Sequence, residues 1–293
     1  MFSGLTTMKH NILLCSDLDR TLLPNGAQPE SPEARRLLQR LADRPELTLV
    51  YVSGRHQALL QQAIEEYALP RPDYAIGDVG TTIFDIEDGN WRPWDNWYEE
   101  IASDWRGKTG KDLQGLFADI ELLRLQEPEK QNDFKLSYYA PTDVEPDNLL
   151  KQLRQRLDAQ EVRASLIWSI DEVADTGLLD ILPERATKLH AIEFLMKHHG
   201  FTHEQTVFAG DSGNDLPALT SGLQAVLVKN ARDDVRDTAL RQVQAAGHGD
   251  CLYLAQGGLL GMNGNYSAGV LEGLVHYLPH TLAWLQDASI GKV

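Results

Sequence analysis

Short unbroken apolar runs, each followed by a longer mixed stretch, recur near both ends of this chain and give way to another pattern in the middle. Ile12-Leu13-Leu14-Cys15-Ser16 is one such run and ends in acidic residues. Leu47-Thr48-Leu49-Val50-Tyr51-Val52-Ser53 is another, set between Pro45 and Gly54. Runs without polar alternation fit strands buried on both faces of a parallel sheet. Between them, Ser31-Pro32-Glu33 opens a helical stretch to Asp43, with a serine to cap it and proline in its first turn. Strand, helix and strand make a βαβ unit, which crosses over right-handed. His56–Tyr67 predicts the next helix, and Tyr74-Ala75-Ile76 begins the next strand.

The same alternation returns late. Lys188–His199 predicts a helix that stops at Gly200. Thr206–Gly210 and Ala225–Val228 read as buried strands, with Asp215–Thr220 helical between them. Ala231–Ala246 predicts a polar helix, and Ala268–Tyr277 the last one. The middle, Trp91 to Leu178, is instead α+β: a helical region over Trp97–Ile120, strands over Phe134–Tyr139 and Val162–Ile170, and a helix over Asn148–Ala159 between them. The pattern therefore predicts one α/β core domain in two segments, 9–90 and 179–293, interrupted by an inserted domain over 91–178. Five of the six tryptophans lie in the insert, where large aromatics are expected to fill a core. Gly257–Gly269, rich in Gly and Asn, is expected to be an exposed loop.

Composition narrows the function. The 293 residues carry a net charge of −16, which excludes a nucleic-acid scaffold, because such a protein needs a basic face to displace counterions from phosphates. If the substrate is an anion, a local cation must offset that field. Two cysteines exclude a disulfide framework or a cysteine-built zinc site and suit a reducing cytoplasm. No apolar run approaches the roughly 20 residues that span a bilayer, so no membrane partner is expected. Met1–His10 is expected to be no signal peptide, with Met8 as an alternative natural start.

Candidate chemistry gathers where strands end. Asp17-Leu18-Asp19-Arg20-Thr21 follows the first strand, and ligands bind beyond the carboxyl ends of strands in an open parallel sheet. Two carboxylates at i and i+2 can converge, one as nucleophile or metal ligand and the other as acid/base. Ser53-Gly54-Arg55 follows the second strand, so a hydroxyl and a backbone N–H reach the same edge and can donate to phosphate. Lys188 starts a late helix, where an ammonium can neutralise phosphate. Gly210-Asp211-Ser212-Gly213-Asn214-Asp215 links a strand to a helix, and its carboxylates suit a hard cation. His198, His199 and His203 surround a helix end and are expected to be solvated rather than to bind metal.

In this order the four elements resemble the four motifs of the haloacid-dehalogenase-like (HAD) phosphohydrolase superfamily. The insert resembles the α+β cap of its Cof-type (C2B) branch. Within that branch the chain is similar to sucrose-phosphate phosphatases, through Asp78-Val79-Gly80-Thr81-Thr82-Ile83, Phe134-Lys135-Leu136-Ser137-Tyr138-Tyr139, Leu179-Asp180-Ile181-Leu182-Pro183, Val228-Lys229-Asn230-Ala231 and Ala268–Tyr277. The resemblance spans Asn11 to Tyr277. It implies a HAD-like Rossmannoid core with a parallel sheet plus an inserted α+β cap.

The resemblance also implies a mechanism. Asp17 attacks phosphorus, and Asp19 protonates the leaving sugar hydroxyl and then activates water. Ser53, Gly54, Lys188 and Asn214 hold the phosphate. Mg²⁺ is held by Asp17, the backbone carbonyl of Asp19, and Asp211, with Asp215 supporting the metal site from behind. Arg55, Lys135 and Tyr139 are candidates for the sugar. Sucrose 6-phosphate is the implied substrate, with mannosylfructose phosphate or another phosphorylated glycoside as the alternative, and an upstream glycosyltransferase as a partner. A phosphosugar mutase and a non-catalytic sugar-binding regulator are the rivals from other classes. The chain departs from the family pattern at Leu189, where a glycine usually follows the motif lysine, and in the longer Gly257–Gly269 segment.

Overall fold

The computed structural model describes residues 12–171 and 174–287. Two sheets organise it. In the large sheet, β1 (Ile12–Asp17) lies between β2 (Leu47–Val52) and β10 (Thr206–Gly210). β3 (Tyr74–Gly77) extends it on one side, and β11 (Gln224–Leu227) and β12 (Leu252–Leu254) on the other, all parallel. β4 (Thr82–Glu87) and β5 (Asn90–Pro93) then close one side as an antiparallel hairpin. Its turn is Asp88-Gly89, both in the left-handed region at φ 50° and 82°, as a tight hairpin turn requires.

The apolar runs behave as expected of strands covered on both faces. In β1, Leu13 and Cys15 face one apolar cluster, and Ile12 and Leu14 face the other. The helices that cover the sheet are amphipathic. α1 (Ala34–Ala42) buries Ala34, Leu37, Leu38 and Leu41, and α2 (Gln57–Glu66) buries Leu60 and Ala63. α6 (Lys188–His199) starts and stops where the pattern places it, with Gly200 closing it at φ 74°. α7 (Leu216–Leu219), α8 (Asp233–Ala246) and α9 (Ser267–Tyr277) complete the second half, followed by a short α10 (Thr281–Gln286).

The second sheet is antiparallel, in the order β6 (Arg124–Leu125), β7 (Leu136–Ala140), β9 (Thr176–Pro183), β8 (Ala164–Asp171). α5 (Pro146–Asp158) packs Leu149, Leu153 and Leu157 into the same apolar cluster as Leu136, Tyr138, Leu179 and Ile181. That cluster runs on without a break to Leu13 and Cys15, so the small sheet and one face of the large sheet share an apolar layer. Trp97 and Trp105 are fully buried in it, whereas Trp91, Trp94 and Trp168 are only half-buried, so the expected aromatic core holds for two of the five. Trp97 also ties the insert to the large sheet, since its Nε1 donates to the Gly80 carbonyl at 3.1 Å.

Four local expectations differ from the structure. The single helix over Trp97–Ile120 is α3 (Asp95–Ala102) and α4 (Gly110–Gln114) with short 3₁₀ turns after each. Arg106 and Gly107 take left-handed backbone between them, and Thr109 with Asp112 forms a capping box that restarts the chain. Ser31 does not cap α1; its hydroxyl accepts the backbone N–H of Asn263 at 2.9 Å. β9 runs unbroken from Thr176 to Pro183, and β5 pairs within the large sheet. The boundaries at 90/91 and 178/179 therefore fall inside strands. Finally, the Gly/Asn-rich segment is not an exposed loop at its C-terminal end: Met262, Gly264, Asn265 and Tyr266 are buried. Glycines with positive φ at 257, 258, 261 and 264 let it fold back on itself. The reading of Met1–His10 lies outside the described residues. Among the described residues, no helix is long and apolar enough to cross a membrane.

Candidate active site

Strand order reverses at β1 and β10: β2 and β3 lie to one side, β11 and β12 to the other. The crevice beyond the strand ends at such a reversal is the natural ligand site of an open α/β sheet. β1 delivers Asp17 to it, and β10 delivers Gly210 and then Asp211. Gly210 is required, because a Cβ there would come within 2.7 Å of the Asp215 side chain. The third contributor is the first turn of α6. The loop Asp78–Gly80 packs against it so closely that a Cβ on Gly80 (φ +99°) would sit 2.7 Å from the Thr187 carbonyl carbon.

These three elements assemble a buried charge cluster. The Lys188 ammonium donates to Asp17 Oδ1 at 2.7 Å and to Asp215 Oδ1 at 2.8 Å. Asp215 Oδ2 accepts from the backbone N–H groups of Asp211 and Ser212 and from the Ser212 hydroxyl. Protein donors therefore occupy both oxygens of Asp215, which fits a role in fixing Lys188 and the Asp211 turn. Asp17 Oδ2 and Asp211 Oδ1 face the Thr21 hydroxyl at 3.2 and 3.5 Å. Burial pushes Asp17 up to about 7 against the pull of Lys188. Burial and the neighbouring Asp215 push Asp211 up to about 6, opposed by Arg20 and Lys188. Burial would strip Lys188 of its proton, but Asp17 and Asp215 outweigh it and raise the lysine above its usual range.

Asp19 sits in a different environment. Burial would raise it, yet Arg55 and Asn25 outweigh burial and hold it below the usual carboxylate range. Arg55 grips it with both arms, Nε to Oδ2 at 2.8 Å and Nη2 to Oδ1 at 2.7 Å. Carboxylate oxygens from Asp17, Asp211 and Asp215 lie within 4.8 Å of one another, all buried. Hard oxygen donors crowded this closely, with two carboxyl groups pushed toward neutrality by burial, form a donor set that suits a divalent cation such as Mg²⁺.

The remaining predicted residues divide. Val52 is in register with Asp17, so Ser53 and Gly54 extend past the nucleophile candidate on the neighbouring strand. Ser53 is buried, and its hydroxyl accepts the Arg55 N–H at 3.2 Å, while Gly54 is open. Asn214 is exposed and lines a cavity of about 470 Å³ together with Lys188, Gly213, Ser165 and Ile167. That cavity lies between the Lys188 and Asn214 segments and strand β8 of the small sheet. Just before β7, Lys135 is 7% exposed, with Nζ 4.0 Å from Asp180. Its charge also opposes the upward push of burial on Asp78. The Tyr139 hydroxyl is already engaged, donating to Glu127 and accepting from Lys130, both at 2.7 Å. His198 and His199 are exposed and pack their rings against Trp94, an aromatic surface rather than a ligand set.

Sequence reasoning left Arg20, Asp78 and Asn230 without roles. Arg20 reaches Asp211, with Nε 3.3 Å from Oδ2. Asn230 is 4% exposed and braces the Asp17–Thr21 loop from below: Nδ2 donates to the Arg20 carbonyl at 2.6 Å, and Oδ1 accepts the Tyr266 N–H at 2.8 Å. Asp78 was in view as part of a string, but only its approach to Lys135 singles it out.

The model of the sucrose-6F-phosphate phosphohydrolase family matches residues 10–278. The chain belongs to that family. It is thus a phosphatase of the HAD superfamily acting on sugar phosphates. Relatives of this chain span a general hydrolase and phosphatases of particular sugar phosphates. A Nitrosococcus oceani protein whose description goes no further than HAD-like hydrolase is 63% identical over 279 residues, covering 95% of this chain and 75% of its own. The mannosylfructose-phosphate phosphatase of Agrobacterium fabrum is 26% identical over 270 residues, 92% of this chain and 98% of the relative. The solved structure of the sucrose-phosphatase from Synechocystis sp. PCC6803, in complex with sucrose and phosphate, superposes with a TM-score of 0.67 at 27% identity, covering 91% of this chain and 98% of that one.

Proposed function

We propose that this enzyme hydrolyses sucrose 6-phosphate to sucrose and phosphate, with Mg²⁺ as cofactor. The observation that carries the reading is the placement of Asp17 at the strand end, paired to Lys188, in a chain whose family match runs through both core and insert. Asp17 is the nucleophile. Lys188 pulls against the burial that raises Asp17 to about 7 and so favours its ionised form, and an ionised carboxylate is what attack on phosphorus requires. The attack gives an aspartyl-phosphate and expels the sugar oxygen. Asp19 gives that oxygen a proton, then takes one from the water that hydrolyses the intermediate. The Arg55 pairing favours ionised Asp19, so Asp19 takes up a proton from solvent when substrate displaces it from Arg55, and that proton then passes to the leaving oxygen. Ser53, Gly54, Lys188 and Asn214 hold the phosphate. Asp17, the Asp19 carbonyl and Asp211 hold the Mg²⁺, which supplies Lewis-acid stabilisation of the charge that develops on the phosphoryl oxygens.

The insert, residues 91–178, acts as a cap in this reading. It closes the cavity beside Lys188 and excludes bulk water during the reaction. Lys135 and Asp180 recognise sugar hydroxyls from the cap side, and an upstream glycosyltransferase supplies the sugar phosphate. Mannosylfructose phosphate is the second reading, favoured by a relative of nearly equal identity whose whole length aligns. The test is phosphate release from a panel of phosphorylated mono- and disaccharides with and without Mg²⁺. Preferential turnover of sucrose 6-phosphate is the expected result. Preference for mannosylfructose phosphate overturns the substrate, and turnover that survives chelation overturns the metal.

A further inference from the structure

Arg20 holds a conformation that its side chain does not favour. It sits between Asp19 and Thr21 with φ 59°, in the left-handed region that glycine enters freely and an arginine does not. A strained residue beside a reactive group is a pointer to function when its side chain has something to do there. The Arg20 guanidinium leans over Asp211, with Nε 3.3 Å from Oδ2, and Nη2 donates to the Asn230 carbonyl at 3.4 Å. The Asp211 contact is ionic rather than directional, since Nε is buried without an aligned hydrogen-bond acceptor. The side chain as a whole is 39% exposed, so it has room to leave.

The charges at the edge can be counted. Asp17, Asp211 and Asp215 supply three negative charges, while Lys188 and Arg20 supply two positive ones. Asp19 and Arg55 neutralise each other. Lys188 is held by Asp17 and Asp215, whereas the ion pair of Asp211, one of the residues placed around the cation, is with Arg20. We infer that Arg20 is a resident counter-ion for Asp211, which weakens Mg²⁺ binding and, once the metal takes Asp211, turns its charge toward the bound phosphate. Arg20 is a tuning residue, and the inference rests on the metal assignment given above.

Two opposite effects distinguish this role from simple support of the loop. In Arg20→Gln, Mg²⁺ titrated into phosphate-free protein by calorimetry is expected to bind about three- to tenfold tighter at low salt, the scale of one screened unit charge near a partly exposed ion. Inorganic phosphate, titrated into the Mg²⁺-saturated protein, is expected to bind about threefold or more weakly. Arg20→Lys keeps the charge and is expected to stay within about twofold of the native protein in both titrations. Structural damage would weaken both ligands together, so weakening of both, no change in either, or Arg20→Lys behaving like Arg20→Gln overturns the inference. A native protein that binds no Mg²⁺ overturns this inference and the metal assignment alike. Neither titration uses a sugar, so failure on sucrose 6-phosphate leaves the inference standing.

Discussion

The edge of the large sheet and the face of the small sheet are built on opposite terms. At the edge, Asp17, Lys188, Asp211 and Asp215 are all less than 7% exposed, and each is tied to a neighbour by charge. On the small sheet, Asp180 keeps 22% of its side chain in solvent and Ile167 39%. Buried, mutually fixed charges need little reorganisation when a reaction places new charge among them. Half-exposed groups on an antiparallel sheet adapt more easily to a leaving group of varied shape. The contrast suggests that chemistry is preset at the edge and that selectivity is shaped on the insert.

The sharpest way to break that division is to remove the proposed nucleophile. Asp17→Asn is expected to lower turnover by about 10⁴-fold or more with the circular-dichroism spectrum unchanged; activity within tenfold of native would move the nucleophile elsewhere. Asp19→Asn is expected to cost about 10² to 10⁴ in multiple-turnover rate, and full turnover would remove its proton-transfer role. Lys188→Met strips the counter-charge from Asp17 and Asp215, and breaking a buried pair costs about 3–5 kcal/mol. The sign with pH follows from the raised carboxyls. A carboxyl whose folded pKa is raised binds protons more tightly when folded, so its contribution to stability is present at low pH and lost as pH rises through about 7 for Asp17. Urea unfolding of Lys188→Met should therefore show a larger deficit at about pH 8 than at about pH 5; an equal deficit at both would mean that packing, not charge, carries the effect.

Metal binding sharpens the same point. Burial raises Asp17 to about 7 and Asp211 to about 6, and a cation held by them as proposed would need both ionised. Mg²⁺ affinity measured by calorimetry should climb between about pH 5 and pH 8, with protons released on binding; an affinity independent of pH would exclude these carboxylates as ligands. The smallest effect is expected on the insert. Lys135→Met should raise KM for sucrose 6-phosphate about tenfold while leaving kcat within about threefold. A fall in kcat as deep as that of Asp19→Asn would erase the division between edge and insert.

The elements at the edge were legible because each is a local pattern whose last or first residue carries the chemistry. β1 ends at Asp17, β10 leads into Asp211, and α6 begins at Lys188, as the runs and stops predict. What escaped depends on partners far along the chain. Ser31 looks like a helix cap until Asn263, 232 residues away, claims its hydroxyl. β9 escapes the pattern: Leu179–Pro183 stands out only as a string shared with the family, and Thr176-Gly177-Leu178 is a strand by virtue of pairing with both β7 and β8. The insert's long helix fails at Arg106 and Gly107, whose left-handed backbone no apolar periodicity announces. Of the sugar-site candidates, Lys135 directly precedes β7 and Tyr139 lies within it, and the contacts of Tyr139 with Glu127 and Lys130 separate them.

The Gly/Asn-rich segment has a practical consequence. By composition it is the place where a protease would be expected to nick the chain. Its backbone, however, is stitched into the protein: Lys229 donates to the Gly264 carbonyl, Asn265 reaches the Pro29 carbonyl, and Gln256 and Gly257 donate to the nearly buried Glu272. A protease must unfasten those bonds before the chain fits its cleft. Through Tyr266 and Asn230, the same unfastening loosens the carbonyl of Arg20, so partial cleavage there would register first as a disturbance of the Asp17–Thr21 loop, while most of the molecule still resisted digestion.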